Sequence, residues 1–380
     1  MKKIAGTDNK KTIFSFFAGV GFLDLGFETS GYTISFVNEI NKSFLDAYKF
    51  ARTNMNLPRE SSEYHQGDME DLIKNDGKKM LTSLVNKARK QGSLVGFIGG
   101  PPCPDFSIAG KNKGREGVHG KLSSTYITLI SQQKPDFFLF ENVKGLWKTK
   151  SHREFYEELK KHLQGQGYIL TERLINALEY GVPQDRDRII LVGFKKKLIP
   201  AKLIDSHDKH ILAENIFPWN DYIKYPRAEI FGKYKKVKDL YKKPLNKKPR
   251  GIPEDTVVEY WFKKNSVDKH PNAKHFFKPR ALFRFQETKE GDVSKKSFKR
   301  LHRWRYSPTV AYGNNEVHLH PLEPRRLSVA EALSLQSLPK KFAFPDTMSL
   351  TDMFKAIGNG VPYVAAKAVA NTIDQFLNTL

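Results

Sequence analysis

The chain has 380 residues, 39% hydrophobic and 28% charged, the make-up of a globular protein rather than a disordered or fibrous one. There is no apolar run of about 18 residues, which excludes a membrane-spanning helix, and the polar, lysine-rich Met1–Lys11 has no apolar stretch behind it, so a cytoplasmic location is expected. A single cysteine excludes a disulfide scaffold and a cysteine-based zinc site, and no metal is expected. The net charge is +23, and Lys195 to Val310 alone holds 30 basic against 13 acidic residues, so a polyanion, foremost nucleic acid, is the expected partner of that segment.

From the N-terminus, short apolar runs alternate with amphipathic stretches. Thr12–Phe17, Thr33–Val37, Leu94–Ile98 and Phe137–Phe140 are brief, β-branched or aromatic, and bounded by Gly, Pro or acidic residues, which predicts strands. Between them Phe22–Ser30, Lys42–Asn54, Gly77–Gln91, Leu122–Gln133 and Arg153–Gln166 carry helical spacing. Continuous apolar strands separated by helices predict a parallel sheet covered on both faces, with ligands bound beyond the carboxyl ends of the strands.

After the first strand, Phe17-Ala18-Gly19-Val20-Gly21 leads into a helix. Its glycines let backbone approach a ligand and aim N–H groups at it, although the third glycine of a dinucleotide fingerprint is missing. The second strand ends in Asn38-Glu39 and a third strand region in Gly67-Asp68-Met69. Either acid alone could be a solvated loop residue; after three successive strands, the set points to a nucleoside-bearing cofactor, with a carboxylate accepting from ribose hydroxyls.

The fourth strand runs into Gly99-Gly100-Pro101-Pro102-Cys103-Pro104-Asp105-Phe106-Ser107. Free cysteines are usually buried small hydrophobes, but this one follows two prolines at a sheet's carboxyl end, where a presented nucleophile is plausible. Attack needs the thiolate, and an ordinary thiol pKa of about 8.5 must be lowered by a helix N-terminus or a cation. The fifth strand ends in Phe140-Glu141-Asn142-Val143. Partial desolvation at such a strand end would suit Glu141 to donate a proton or hydrogen bond, the alternative being a helix-capping carboxylate. In Gln184-Asp185-Arg186-Asp187-Arg188 the two arginines stand at i and i+2 of a strand and share one face, so both could aim at one anionic or carbonyl-bearing site; alone, this is a plain exposed strand.

From Lys195, lysine pairs, interleaved aromatics and scattered prolines predict a second, less regular domain reaching roughly Pro345, with the lysine-dense run 233–248 as a loop. Met353–Leu380 returns to a helical pattern after Gly358-Asn359-Gly360.

In this order and spacing the motifs resemble those of the C5-cytosine DNA methyltransferases of bacterial restriction–modification type, over nearly the whole chain outside the basic segment. Phe17-Ala18-Gly19-Val20-Gly21 looks like the family's first S-adenosylmethionine motif, with Glu39 and Asp68 like its ribose and adenine ligands and Ile40, Met69, Pro102 and Asn359 also expected at the cofactor. Pro102-Cys103 resembles the nucleophile motif, Glu141-Asn142-Val143 the catalytic glutamate motif, and Gln184, Arg186 and Arg188 the Q-x-R-x-R strand. Arg325-Arg326-Leu327-Ser328 through Leu335-Gln336-Ser337-Leu338-Pro339 looks like the helix that supports the recognition domain, and Ala356-Ile357-Gly358-Asn359-Gly360-Val361-Pro362 like the C-terminal motif that folds back on the cofactor. Pro104 stands where the family commonly has Gln, a departure that touches a supporting contact and not the chemistry.

The resemblance implies an α/β fold, the S-adenosylmethionine-dependent methyltransferase (Rossmann-like) mixed sheet with helices on both faces, plus a smaller irregular target-recognition domain. The expected division is 1–195 for catalysis and cofactor binding, 196–345 for DNA target recognition, and 346–380 as a C-terminal helix returning to the catalytic domain. The implied reaction transfers a methyl group from S-adenosylmethionine to C5 of a cytosine flipped out of a specific duplex DNA sequence, leaving S-adenosylhomocysteine. In it Cys103 adds to C6, Glu141 hydrogen-bonds N3 and the exocyclic amine, Arg188 reaches O2, Arg186 supports the catalytic set or binds backbone, and a water relay removes the C5 proton. DNA contacts are expected from Ser107, from Lys111, Lys113 and Arg115 in a Gly110–Gly120 loop that closes over DNA, and from Gln184 and Thr309. The enzyme is expected to act as a monomer, alongside a cognate restriction endonuclease. Two rivals stand: a tRNA cytosine-C5 methyltransferase, against which the large basic segment weighs, and a catalytically inactive DNA-binding regulator, against which intact Cys103, Glu141 and Arg188 weigh.

Overall fold

Seven strands, β1 (Lys11–Phe16), β2 (Thr33–Glu39), β3 (Glu63–Gln66), β4 (Leu94–Gly99), β5 (Phe137–Val143), β6 (Tyr168–Asn176) and β7 (Asp187–Lys195), form one sheet in the order β3-β2-β1-β4-β5-β7-β6. The computed structural model describes residues 10–57, 62–102, 118–242, 245–279, 282–295, 297–312 and 316–380. β1 to β5 pair in parallel, whereas β7 lies antiparallel between β5 and β6. The parallel sheet that the apolar runs predict is thus completed as the mixed sheet that the family resemblance implies. The connection from β6 to β7 is too short for the crossover of a dozen or more residues that a parallel return requires, so the chain turns straight back. That reversal brings the start of β7 to the edge where the parallel strands end.

The helices are α1 (Phe22–Glu28), α2 (Lys42–Asn54), α3 (Asn75–Lys90), α4 (Val118–Gln133), α5 (Lys144–Lys148), α6 (Lys150–Gly165), α7 (Arg227–Lys236), α8 (Val258–Asn265), α9 (Leu282–Glu287), α10 (Val329–Leu335), α11 (Leu350–Asn359) and α12 (Tyr363–Leu377). α2 starts where its spacing predicts because the Asn41 side chain accepts from Phe44 N and caps the first turn. β1 shows why the central strands are apolar throughout: Ile13 packs with Phe27, Tyr48 and Ile373 on one face, while Phe14 and Phe16 pack with Leu81, Tyr126 and Tyr156 on the other. Each such side chain, fully buried, contributes roughly 1.5–3 kcal/mol.

A third core joins α1 and α2 to the later chain, packing Phe22, Leu25 and Phe44 against Val310, Tyr312, Leu333, Phe354 and Ile357. A fourth, smaller one gathers Ile230, Tyr234, Tyr241, Ile252 and Val257 of the basic segment around Leu178. It corrects the loop expected over 233–248: the run begins inside α7, because Ile230 and Tyr234 lie one helical turn apart on a buried face and leave Lys233, Lys235 and Lys236 around it.

α1 carries a buried carboxylate, Asp24, which accepts from Ser15 Oγ at 2.8 Å and from Tyr48 Oη at 3.0 Å. Burial pushes its pKa up to about 6, against the pull of Arg52. Because folding raises this pKa above the unfolded 3.8, the protonated form is the one folding favours: its contribution is full below about pH 4 and is lost as pH rises through about 6. Relative to Asp24→Asn, wild-type stability should therefore fall by about 2 kcal/mol between pH 4 and 7 in urea unfolding, and a difference that stays flat would overturn the assignment.

Candidate active site

The carboxyl ends of β1, β2, β4 and β5 and the start of β7 converge on one rim. Beyond β1, Phe17, Gly19 and Gly21 all take left-handed backbone, with φ of 53°, 57° and 78°. The alternation curls the loop so that Gly21 N donates to Ala18 O at 2.8 Å. Arg52 locks it from α2: Nη1 and Nη2 donate to Val20 O and Gly21 O, the guanidinium lies 3.8 Å from the Tyr48 ring centroid, and Glu28 pairs with it at 2.9 Å.

The β2 terminus supplies Glu39, whose two carboxylate oxygens accept from Gly19 N at 2.8 Å and Asn41 N at 2.9 Å. Its burial raises its pKa, opposed by these backbone donors. Ile40, next to it, is 64% exposed. Asp68 caps the short helix Met69–Ile73, accepting from Glu70 N, with Met69 buried beneath. Gly67 N donates to Glu39 O, which ties this turn to the β2 terminus.

At the end of β5, Glu141 meets Arg188. Antiparallel register sets Val143 opposite Arg188, so Glu141 lies diagonally across on the same face. Arg188 Nε stands 2.7 Å from Glu141 Oε1, an ion pair that lacks hydrogen-bond alignment, since the buried Oε1 has no hydrogen-bond partner. Gly100 forms the adjoining wall, where a Cβ would come within 2.7 Å of Glu141 Oε2. Asn142 Nδ2 reaches Pro101 O at 3.4 Å, joining β5 to the segment that precedes Cys103.

The family model for C-5 cytosine-specific DNA methylases matches residues 11–375. The chain belongs to the C-5 cytosine-specific DNA methylase family. It is 53% identical to the Type II methyltransferase M.NmeDI of Neisseria meningitidis serogroup C over 97% of this chain and 85% of that protein. It is 30% identical to M.FnuDI, a Type II methyltransferase of Fusobacterium nucleatum, over 95% and 94%. The fold is shared with the S. pombe Dnmt2 methyltransferase, at a TM-score of 0.60 and 12% identity, covering 97% of this chain and 99% of that one.

Of the residues expected at a methylase site, Phe17, Gly19, Val20, Gly21, Glu39, Ile40, Asp68, Met69, Pro102, Glu141 and Arg188 stand in or beside the rim loops just described. Asn359 ends α11, where the neighbouring Gly360 lies against Phe22 at the start of α1. Cys103, Ser107, Lys111, Lys113 and Arg115 lie outside the described residues.

Two more of the expected residues are built into the fold. Arg186 stands within electrostatic reach of Arg188 and Glu141, but it precedes β7, is 1% exposed, and donates to Val310 O at 2.9 Å and Gly358 O at 2.8 Å. Burial and the nearby Arg188 push its pKa well below the ordinary arginine range. It is a backbone clamp joining three segments, the supporting role that the resemblance leaves open to it. Gln184, expected at DNA, is fully buried, donating to Leu335 O and accepting from Val310 N. Together they set Val310 and its neighbour Thr309, which is exposed and bonds Asp185 O at 2.5 Å. Sequence reading missed Arg52 altogether; its signal was a basic residue one turn beyond Tyr48, on the buried stripe of α2.

Proposed function

We propose that this methylase is the modification enzyme of a Type II restriction–modification system and methylates cytosine at C5 through a covalent Cys103 adduct. The supporting observation is the pairing of buried Glu141 with partly buried Arg188, which leaves Glu141 Oε1 without a hydrogen bond beside the strand end that leads into Cys103. Two relatives, 53% and 30% identical, carry the Type II methyltransferase name.

The rim suits S-adenosylmethionine. Glu39, oriented by two backbone N–H groups, would accept from the ribose hydroxyls, exposed Ile40 would cover the adenine, Asp68 and Met69 would flank it, and the Phe17–Gly21 backbone with Pro102 and Asn359 would hold the amino-acid end. Bound there, it supplies an electrophilic methyl group on a sulfonium.

The chain's own groups do the rest. The Cys103 thiolate adds to C6 of cytosine, making C5 nucleophilic. Glu141 accepts from the exocyclic amine and, in its protonated form, donates to N3, while Arg188, whose Nη1 donates to Asp187 O, offers its Nη2 to O2, where negative charge develops. A water relay takes the C5 proton and the thiolate leaves. A stacked base is out of reach, so the cytosine is flipped out, and residues 196–345 grip the duplex as a recognition domain whose lysines and arginines neutralise phosphates.

DNA carrying 5-fluorocytosine tests the adduct, because fluorine at C5 cannot leave as a proton. With cofactor present, the wild-type protein should form a protein–DNA complex that survives denaturing electrophoresis. If it methylates ordinary DNA yet traps nothing, the adduct is wrong; if it methylates tRNA and not DNA, the substrate is.

A further inference from the structure

Beside the rim lies a cavity of about 230 Å³ whose lining includes Asp185, Lys299, Arg305, Tyr306 and Pro308. It sits where the basic segment meets the strand that delivers Arg188. Ser307 N donates to Pro183 O and Asp185 N to Ser307 O, a single parallel bridge that holds Ser307 beside Gln184. Asp185 and Arg188 are three residues apart, no more than about 10 Å of chain, which is the span of about three stacked base pairs.

The chemistry of the lining is unusual for this segment. Arg300, Arg303, Arg325 and Arg326 all spend their side-chain donors on carbonyls or carboxylates of the fold. Arg305 does not. Its backbone is pinned at both ends, N to His302 O and O from Val258 N, and its guanidinium packs over the Tyr241 and Tyr306 rings at 5.6 and 5.1 Å. Among the described residues its donor fork has no hydrogen-bond acceptor. Asp185 uses one oxygen, Oδ1, to accept from Asn176 Nδ2 at 2.8 Å. No ion pair joins Asp185 to Arg305 or Lys299 among the described residues, although all three line the same cavity. Opposite charges held apart in one cleft suit a ligand that offers acceptors and donors together, and a rigid guanidinium fork suits paired acceptors.

We propose that this cleft reads one G·C base pair beside the target cytosine. Arg305 donates to O6 and N7 of guanine, Asp185 accepts from the N4 amine of the paired cytosine, and Lys299 neutralises a neighbouring phosphate. A G·C edge in the major groove offers that set: two acceptors on guanine and a donor on cytosine. The inference rests on the DNA-methylating reading above and adds to it the residues that choose the site.

The test starts by mapping the wild-type recognition sequence with methylation-sensitive sequencing of DNA exposed to the full-length protein. Duplexes with each base pair of that sequence changed in turn are then compared by kcat/KM. Arg305→Lys keeps a cation over the rings but removes the fork. It should lower kcat/KM on the cognate duplex roughly 10- to 100-fold, with the same factor of discrimination lost at one G·C position and the other positions unchanged. Lys299→Ala should weaken binding equally on all duplexes and reduce the salt slope by about 1. Asp185→Asn should relax the same G·C position as Arg305→Lys, and it decides the matter if Arg305→Lys fails to bind cofactor. A uniform loss across all duplexes for Arg305→Lys and Asp185→Asn, or no loss, overturns the proposal. A wild-type protein that methylates no DNA would instead sink the reading beneath it.

Discussion

Cys103→Ser should abolish methyl transfer, by about four orders of magnitude or more, while DNA and cofactor still bind. The expectation follows from ionisation. Addition to C6 needs an anionic nucleophile, and a thiol close to neutral pKa supplies one where a hydroxyl, lacking a strong base, does not. Since Cys103 is the only cysteine of the chain, no neighbouring thiol can take over. Transfer of labelled methyl groups to DNA measures the rate, calorimetry with each ligand shows that the protein is folded, and the 5-fluorocytosine complex should vanish with the activity. A serine variant retaining a tenth of wild-type turnover would remove Cys103 from the chemistry.

What the sequence could disclose depended on whether the signal was local. β1, β2, β4 and β5 are apolar on both faces, so each reads as an uninterrupted run. β3, with the sequence Glu-Tyr-His-Gln, pairs only with β2 at the sheet edge, and nothing in its composition marks it beyond the acidic turn that follows. The candidate site divides the same way. Glu39 and Glu141 are legible because a carboxylate closing an apolar strand is a local oddity. The pairing of Glu141 with Arg188 depends on an antiparallel register that no window of sequence contains. Arg186 is the sharper case. Period-two alternation places it with Arg188, yet it lies outside β7 and its partners are 124 and 172 residues away along the chain. In the basic segment, charge announced a polyanion, but the cations still free to meet one could be separated from those spent on the fold only by hydrogen-bond accounting, since Arg300 and Arg305 look alike in sequence.

Glu141→Gln should lower kcat by about 10²- to 10³-fold and leave the KM values for DNA and cofactor nearly unchanged. Glutamine keeps the shape and one acceptor, so ground-state contacts with a bound base survive. What it removes is the charge that holds Arg188 at 2.7 Å, and with it the orientation of a donor aimed at charge that exists only as the thiolate adds. Leaving Arg188 largely buried without its partner adds a second penalty, because a cation there was compensated by one carboxylate. The two residues should therefore behave as a unit. Once Glu141→Gln has been made, adding Arg188→Met should cost far less than Arg188→Met costs in the wild-type background, a non-additivity that single-turnover rates of the four proteins can resolve. If the two losses simply add, the pair is a salt bridge of the fold, and Glu141 and Arg188 meet the base separately or not at all. If Glu141→Gln raises KM for DNA with kcat intact, the carboxylate holds the flipped base in the ground state and contributes nothing to the addition step.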